Sequence, residues 1–174
     1  MSNDDLAQLR RDIQMLKDAE AIRNLKGAYF RCADTSNLTE IATLFHDDVE
    51  VKFVGGTYEW DLKGKKAYLE ALTQGFNPNV VAQHHGHTPE IHVLNEREAT
   101  GTWYLYDNFW NLGEGRYTYG TALYRDYYVK ENGRWLIRRT AYKRVYEVVE
   151  EMPKDKEPNF TYRWLADKNA KMVE

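Results

Sequence analysis

A chain of 174 residues, 43% hydrophobic and 29% charged, reads as one soluble globular domain large enough for a core. Its net charge of −3 leaves no electrostatic footprint for nucleic acid, and no run of roughly 18 apolar residues marks a membrane span. Residues 1–20 lack the apolar centre of a signal peptide, and the single cysteine, Cys32, excludes an internal disulfide framework; both point to the cytoplasm.

Leu6, Leu9, Ile13 and Leu16 recur at helical spacing, and Ile22, Leu25, Ala28, Tyr29 and Cys32 continue the stripe. One long helix or two abutting helices, ending near Ala33, fit this run. Asp34-Thr35-Ser36-Asn37 is a turn cluster, and Asn37 with Glu40 opens a short helix whose apolar face is Leu38, Ile41, Leu44 and Phe45. A carboxylate at Asp34 faces the negative end of the first helix's dipole, so it is a solvated turn residue unless a donor or cation offsets it. Residues 49–53 alternate as a strand, Gly55-Gly56 signals a hairpin, and residues 58–60 return. A helix over 65–72 follows.

From Val80 the period switches to two. Four strands are expected, over 80–94, 99–110, 117–130 and 135–146, joined by short turns and therefore antiparallel. Helices first and a long sheet after them give an α+β fold, with the curved sheet closed on one side by the N-terminal helices. The domain spans 1–152. Residues 153–174 form a charged arm with alternating Phe160, Tyr162, Trp164 and Leu165, either docked on a neighbouring chain or frayed.

The aromatic load stands out, with 13 Tyr and 5 Trp. Tyrosine joins an apolar body to a polar tip, so an excess lines a pocket for a flat apolar ligand, or simply marks a strand-rich fold. Four of the five histidines, His84, His85, His87 and His92, fall on one expected strand. Alternation places His85 and His87 on one face and His84 on the other, unless a bulge at Pro89 resets the count. A facial triad needs two histidines and a carboxylate converging, which a cluster along one strand supplies poorly, so no metal is expected.

The runs 84–91 (His-His-Gly-His-Thr-Pro-Glu-Ile), 99–105 and 21–34 resemble the SnoaL-like branch of the nuclear-transport-factor-2-like (cystatin-like) superfamily. Residues 26–32, 86–91 and 142–147 extend the likeness to the bile-acid 7α-dehydratases of gut bacteria, across residues 6–150. The resemblance implies a cone-shaped roll, a homotrimer, and elimination chemistry with no metal or organic cofactor. It places the catalytic pair on Asp34 and His84, and adds Tyr29 and Arg144. It also turns His84 toward the pocket, leaving His85 and His87 as supports, with His87 counted among the substrate-binding residues.

Phe53, Tyr68, Trp103 or Tyr104, Tyr119 and Tyr142 are the candidate walls for a hydrophobic small molecule. Phe53 departs from a tyrosine expected in the bile-acid enzymes. Arg144 is left with three options: holding a substrate carboxylate, stabilising developing charge, or pairing with Asp34 or Glu147. The implied activity is a hydro-lyase acting on a steroid-like hydroxy-ketone. The same fold also serves isomerases, polyketide cyclases and non-catalytic binding modules.

Overall fold

The structure, a computed structural model, describes residues 2–173. One helix, α1 (Asn3–Asp34), opens the chain on a capping box: the Ser2 hydroxyl accepts the Asp5 amide, and the Asp5 carboxylate accepts the Ser2 amide at 2.7 Å. Its first half leaves Leu6, Leu9, Ile13 and Leu16 exposed, so the apolar stripe read there does not enter the core. Burial begins at Asp18, whose carboxylate receives Lys130 at 2.6 Å and the Trp135 indole at 2.9 Å. From there Ile22, Leu25, Tyr29, Phe30 and Cys32 face the sheet.

α1 ends in a Schellman turn. The Asn37 amide bonds to the Cys32 carbonyl, the Ser36 amide bonds to Ala33, and Ser36 takes the left-handed conformation at φ 50°. α2 (Leu38–Ile41), capped by Asn37, runs through a single 3-10 turn into β1 (Phe45–Val54). Phe45, expected on the helix, is thus the first strand residue and fully buried. β2 (Glu59–Lys63) pairs with β1, and α3 (Lys65–Gly75) crosses to β3 (Val80–Val93), β4 (Glu98–Asn111), β5 (Arg116–Glu131) and β6 (Arg134–Glu151).

The strands form one curved sheet in the order β2-β1-β6-β5-β4-β3. β3 to β6 are an antiparallel meander, as the short turns require. One seam of the sheet is not antiparallel: β1 lies parallel to β6, so the six-stranded sheet is mixed. β2 occupies one edge of β1 and β5 one edge of β6. The two free edges meet, and the long intervening chain supplies the crossover a parallel pair needs. Among the described residues, no helix is long and apolar enough to cross a membrane.

A buried ion pair ties α1 to the sheet's inner face. Lys26 lies 2.8 Å from Asp126, both side chains fully enclosed. Its ammonium sits 3.6 Å from the centroid of the Tyr124 ring. Asp126 also accepts the Tyr128 hydroxyl at 2.8 Å, which accepts the Trp103 indole at 2.9 Å. Removing one partner of such a pair strands a charge in the core. Asp126→Ala is therefore expected to lower unfolding stability by about 3–5 kcal/mol, whereas Lys26→Met with Asp126→Leu recovers most of the loss. Urea denaturation of the three proteins checks this.

Candidate active site

The inner face of the sheet and the end of α1 border a partly open cavity of ≈ 280 Å³, near the lower end of small-molecule pockets, which run from roughly 300 Å³ upward. Alternation decides which side chains reach it. On β3 ahead of the bulge the inward residues are the even ones, so His84 lines the cavity while His85 and His87 are exposed on the outer face. The bulge does occur, with Thr88 at φ 46° and a register shift between His87 and Glu90. It lies beyond His84 and leaves that side chain's direction intact.

Gly86 makes the approach of α1 possible. A Cβ there would stand 1.9 Å from the Phe30 ring. Phe30 in turn stacks on His84, with centroids 6.2 Å apart and planes at 16°. The helix C-terminus thereby reaches the strand. Asp34 Oδ1 meets His84 Nδ1 at 2.5 Å, and Asp34 Oδ2 accepts the His84 backbone amide at 3.0 Å. These are the donors a carboxylate in this position requires. An imidazole that gives its Nδ1 proton to a carboxylate presents Nε2 as its basic atom.

Arg144 stands on β6, within the cavity wall. Its guanidinium forks onto both carboxylate oxygens of Asp107, with Nη2 donating to Oδ2 at 2.8 Å. Nε donates to the Tyr58 hydroxyl at 3.2 Å and lies 3.5 Å from Glu147 Oε2. Of the partners weighed for it, Glu147 is present and Asp34 is not. Burial works against its charge, but the Asp107 hydrogen bonds and charge outweigh that and push the guanidinium pKa up. Two carboxylates already occupy this cation, so it has no free fork for a substrate carboxylate.

Tyr29, Tyr68 and Tyr124 gather at the floor. The Tyr29 and Tyr68 hydroxyls are 2.8 Å apart, and both rings are buried. Phe53 stacks on Tyr142 at 4.2 Å, and the Tyr142 hydroxyl meets that of Tyr58. Of the expected wall residues, Phe53, Tyr68 and Tyr142 line the cavity. His87, Tyr104 and Tyr119 do not. His87 stacks on Tyr104 at 5.5 Å on the outer face, and Tyr119 bonds to Glu150 there. The inward residues of β4 are the odd ones, Trp103, Leu105 and Asp107, and those of β5 near the site are Gly120, Ala122 and Tyr124. Trp103 faces inward but bonds to Tyr128 beneath the cavity.

The sequence reading missed Asp107, Tyr58, Trp60, Phe76 and Phe109, which also line the cavity. Asp107 carried a usable signal, because an acidic residue at the buried parity of an apolar strand demands a partner. Tyr58 carried none. The pattern puts it on the returning strand, but it sits in a four-residue loop closed by Gly55 N–H to Tyr58 O at 2.9 Å, turned inward to meet Arg144.

Burial pushes the Tyr29 phenol up to about 12 against an ordinary 10, with the Tyr68 and Tyr124 hydrogen bonds opposing the rise; Tyr68, Tyr124 and Tyr142 are raised well above 10 by burial as well. All four therefore serve as neutral donors near neutrality. A raised folded-state pKa stabilises the fold fully below pH 10 and loses that contribution as the pH climbs toward 12. Absorbance titration should accordingly show these tyrosines ionising together with alkaline unfolding rather than as independent groups near 10.

A family profile described as the SnoaL-like domain matches residues 14–141, well over half of the chain. Solved structures share the fold. A Novosphingobium aromaticivorans protein provisionally described as a scytalone dehydratase is 22% identical, with a TM-score of 0.69 over 82% of this chain and 92% of its own. A hexachlorocyclohexane dehydrochlorinase from Novosphingobium barchaimii is 20% identical, with a TM-score of 0.69 over 80% and 94%. A nuclear-transport-factor-2-like protein with a cystatin-like fold, also from Novosphingobium aromaticivorans, is 17% identical, with a TM-score of 0.66 over 83% and 92%.

Proposed function

Because this chain belongs to the SnoaL-like domain family, and because His84 lines its cavity with Asp34 bonded behind it at 2.5 Å, we propose that it is a dehydratase of a steroid-like hydroxy-ketone. The hydrogen-bonded pair at the cavity wall is the observation that carries this reading. A carboxylate that fixes the tautomer of an imidazole in a cavity wall is the arrangement general base catalysis uses.

The substrate we favour is a 7α-hydroxy-3-oxo-Δ4 bile acid, as the free acid or a thioester. His84 Nε2 takes the proton from carbon 6, which the conjugated ketone acidifies. Asp34 fixes the tautomer and stabilises the imidazolium, as an aspartate does in a serine-protease triad. The C6–H and C7–O bonds break, a C6–C7 double bond forms, and the proton held by His84 leaves with the hydroxyl as water. Tyr29 donates to the departing oxygen. Arg144, with its charge shared between Asp107 and Glu147, polarises through the Tyr58 hydroxyl. Phe53, Tyr68 and Tyr142 supply the flat apolar wall. Since Arg144 is already paired, the substrate's own carboxylate belongs at the cavity mouth.

We also propose a homotrimer. The outer sheet face supports it, since Tyr104, Tyr106, Leu123 and Tyr146 are each more than a third exposed and lie side by side across β4, β5 and β6. Light scattering of the purified protein should give about three times the 20.5 kDa chain mass; a monomer would end this part of the reading.

The activity is tested by incubating the protein with a 7α-hydroxy-3-oxo-Δ4 steroid. Elimination extends the conjugation, so an absorbance band at longer wavelength should grow in, whereas a double-bond isomerisation releases no water and gives a different chromophore. His84→Ala should lower turnover by about a hundredfold or more, and Asp34→Asn should do so comparably by presenting the wrong tautomer. Near-full activity in His84→Ala would refute the assigned chemistry.

A further inference from the structure

The arm after β6 docks on its own chain. Four contacts hold it: the Met152 amide to the Gly115 carbonyl at 2.6 Å, Phe160 edge-on to Trp110 at 5.6 Å, Arg163 to the Pro78 carbonyl at 3.2 Å, and the Trp164 indole to the Thr35 carbonyl at 3.2 Å. Each anchor adjoins the cavity rim. Gly115 lies between Glu114 and Arg116, Trp110 lies between Phe109 and Asn111, and Pro78 and Thr35 follow Phe76 and Ala33 by two residues; all six flanking residues line the cavity. Among the described residues, the arm itself contributes none to the lining. It also falls outside residues 14–141, the part of the chain that the family profile matches.

The last anchor is the one closest to the chemistry. Thr35 caps α1 directly after Asp34, and its carbonyl is one of the groups a helix end leaves without an intrahelical partner. The next residue, Ser36, holds a left-handed conformation that is costly for a side chain with a Cβ. A strained turn of this kind keeps its shape only where neighbours fix it. Besides the turn's own Schellman bonds, the Thr35 hydroxyl on the Arg31 carbonyl and the Asp34–His84 contact, two bonds from elsewhere in the fold reach it: the Ser36 hydroxyl to the Phe76 carbonyl at 3.3 Å, and the Trp164 indole to the Thr35 carbonyl.

We propose that Trp164 is a positioning residue for the dyad, pinning the α1 C-terminal turn so that Asp34 stays seated on His84. This deepens the dehydratase reading and rests on it for its kinetic consequence. Its spectroscopic consequence needs no substrate.

The test uses the full chain and Trp164→Phe, which keeps an aromatic ring and deletes the N–H. A proton held between His84 Nδ1 and a carboxylate gives a far-downfield NMR signal, protected from exchange with water. In Trp164→Phe that signal should broaden and exchange faster, while Tm falls by no more than about 4 °C, the scale of one lost hydrogen bond at this chain length. Trp164→Ala should show the larger effect of the same kind. On the steroid, kcat should fall by about tenfold with KM little changed, because the misplaced pair affects the proton transfer and not the wall.

An unchanged downfield signal in both variants would overturn the proposal, and so would its absence from the unmodified protein. A steroid that fails to react would count against the substrate alone, since the proton signal is read without it.

Discussion

Everything at this site depends on a carboxylate standing where a helix disfavours one. Asp34 is the last residue of α1, facing the negative end of its dipole. The dipole penalty is about 0.3–1 kcal/mol, while hydrogen bonds to a charged group contribute about 1.5–3 kcal/mol each. His84 supplies two, from its ring and its backbone amide. The clamp outweighs the dipole, and it also sets the ring. The same bonds that make the carboxylate tolerable point Nε2 of the imidazole away from it. The tolerance of the carboxylate and the orientation of the ring come from one interaction.

The clamp forms because the end of α1 packs closely on β3 at Gly86. Gly86 removes the Cβ that would displace Phe30, and Phe30 then lies flat on the imidazole. Farther back, Lys26 and Asp18 bolt the helix to β5 and β6 through Asp126, Lys130 and Trp135. A buried ion pair is a weak source of net stability, because desolvation offsets most of its Coulomb gain. Its contribution here is registry. A helix that slid by one turn would leave Lys26 and Asp126 unpaired in the core, and this penalty restricts α1 to one seating. Asp34 inherits that seating two turns later.

The cavity matches charge with charge and leaves neutral donors over. Arg144 is shared between Asp107 and Glu147, and the phenols of Tyr29, Tyr68 and Tyr142 are held in their protonated form by burial. Such a lining suits a ligand whose polar groups are hydroxyl and carbonyl. It offers little to an anionic head group at depth, because the buried guanidinium in the wall, Arg144, is already taken. The aromatic edges and faces around Phe53, with Tyr142 at 4.2 Å and Trp60 at 6.0 Å, hold the wall rigid, each such pair contributing about 0.5–1.5 kcal/mol beyond its burial.

Local rules carried much of this. The turn cluster after α1, the switch from helical period to alternation at Val80, and the short links between β3, β4, β5 and β6 are near-neighbour effects, so they were legible in the sequence. Resemblance put Asp34 and His84 together, and alternation put His85 and His87 on the face opposite His84.

What the sequence could not determine was everything that depends on which strand edge meets which. The parallel seam between β1 and β6 places Arg144 and Tyr142 beside the β1–β2 loop and so beside Tyr58. The pairing of β4 with β3 puts Asp107 opposite His84 on the sheet. Inward parity on β4 and β5 excluded Tyr104 and Tyr119 from the wall, and no local signal distinguishes them from Tyr124, because the same residue type on the same kind of strand is buried or exposed by a shift of one position. The sequence by itself determined most of the elements, and resemblance joined Asp34 to His84. The tertiary structure decided which tyrosines surround that pair and what holds Arg144, because those are long-range contacts set by strand order and register.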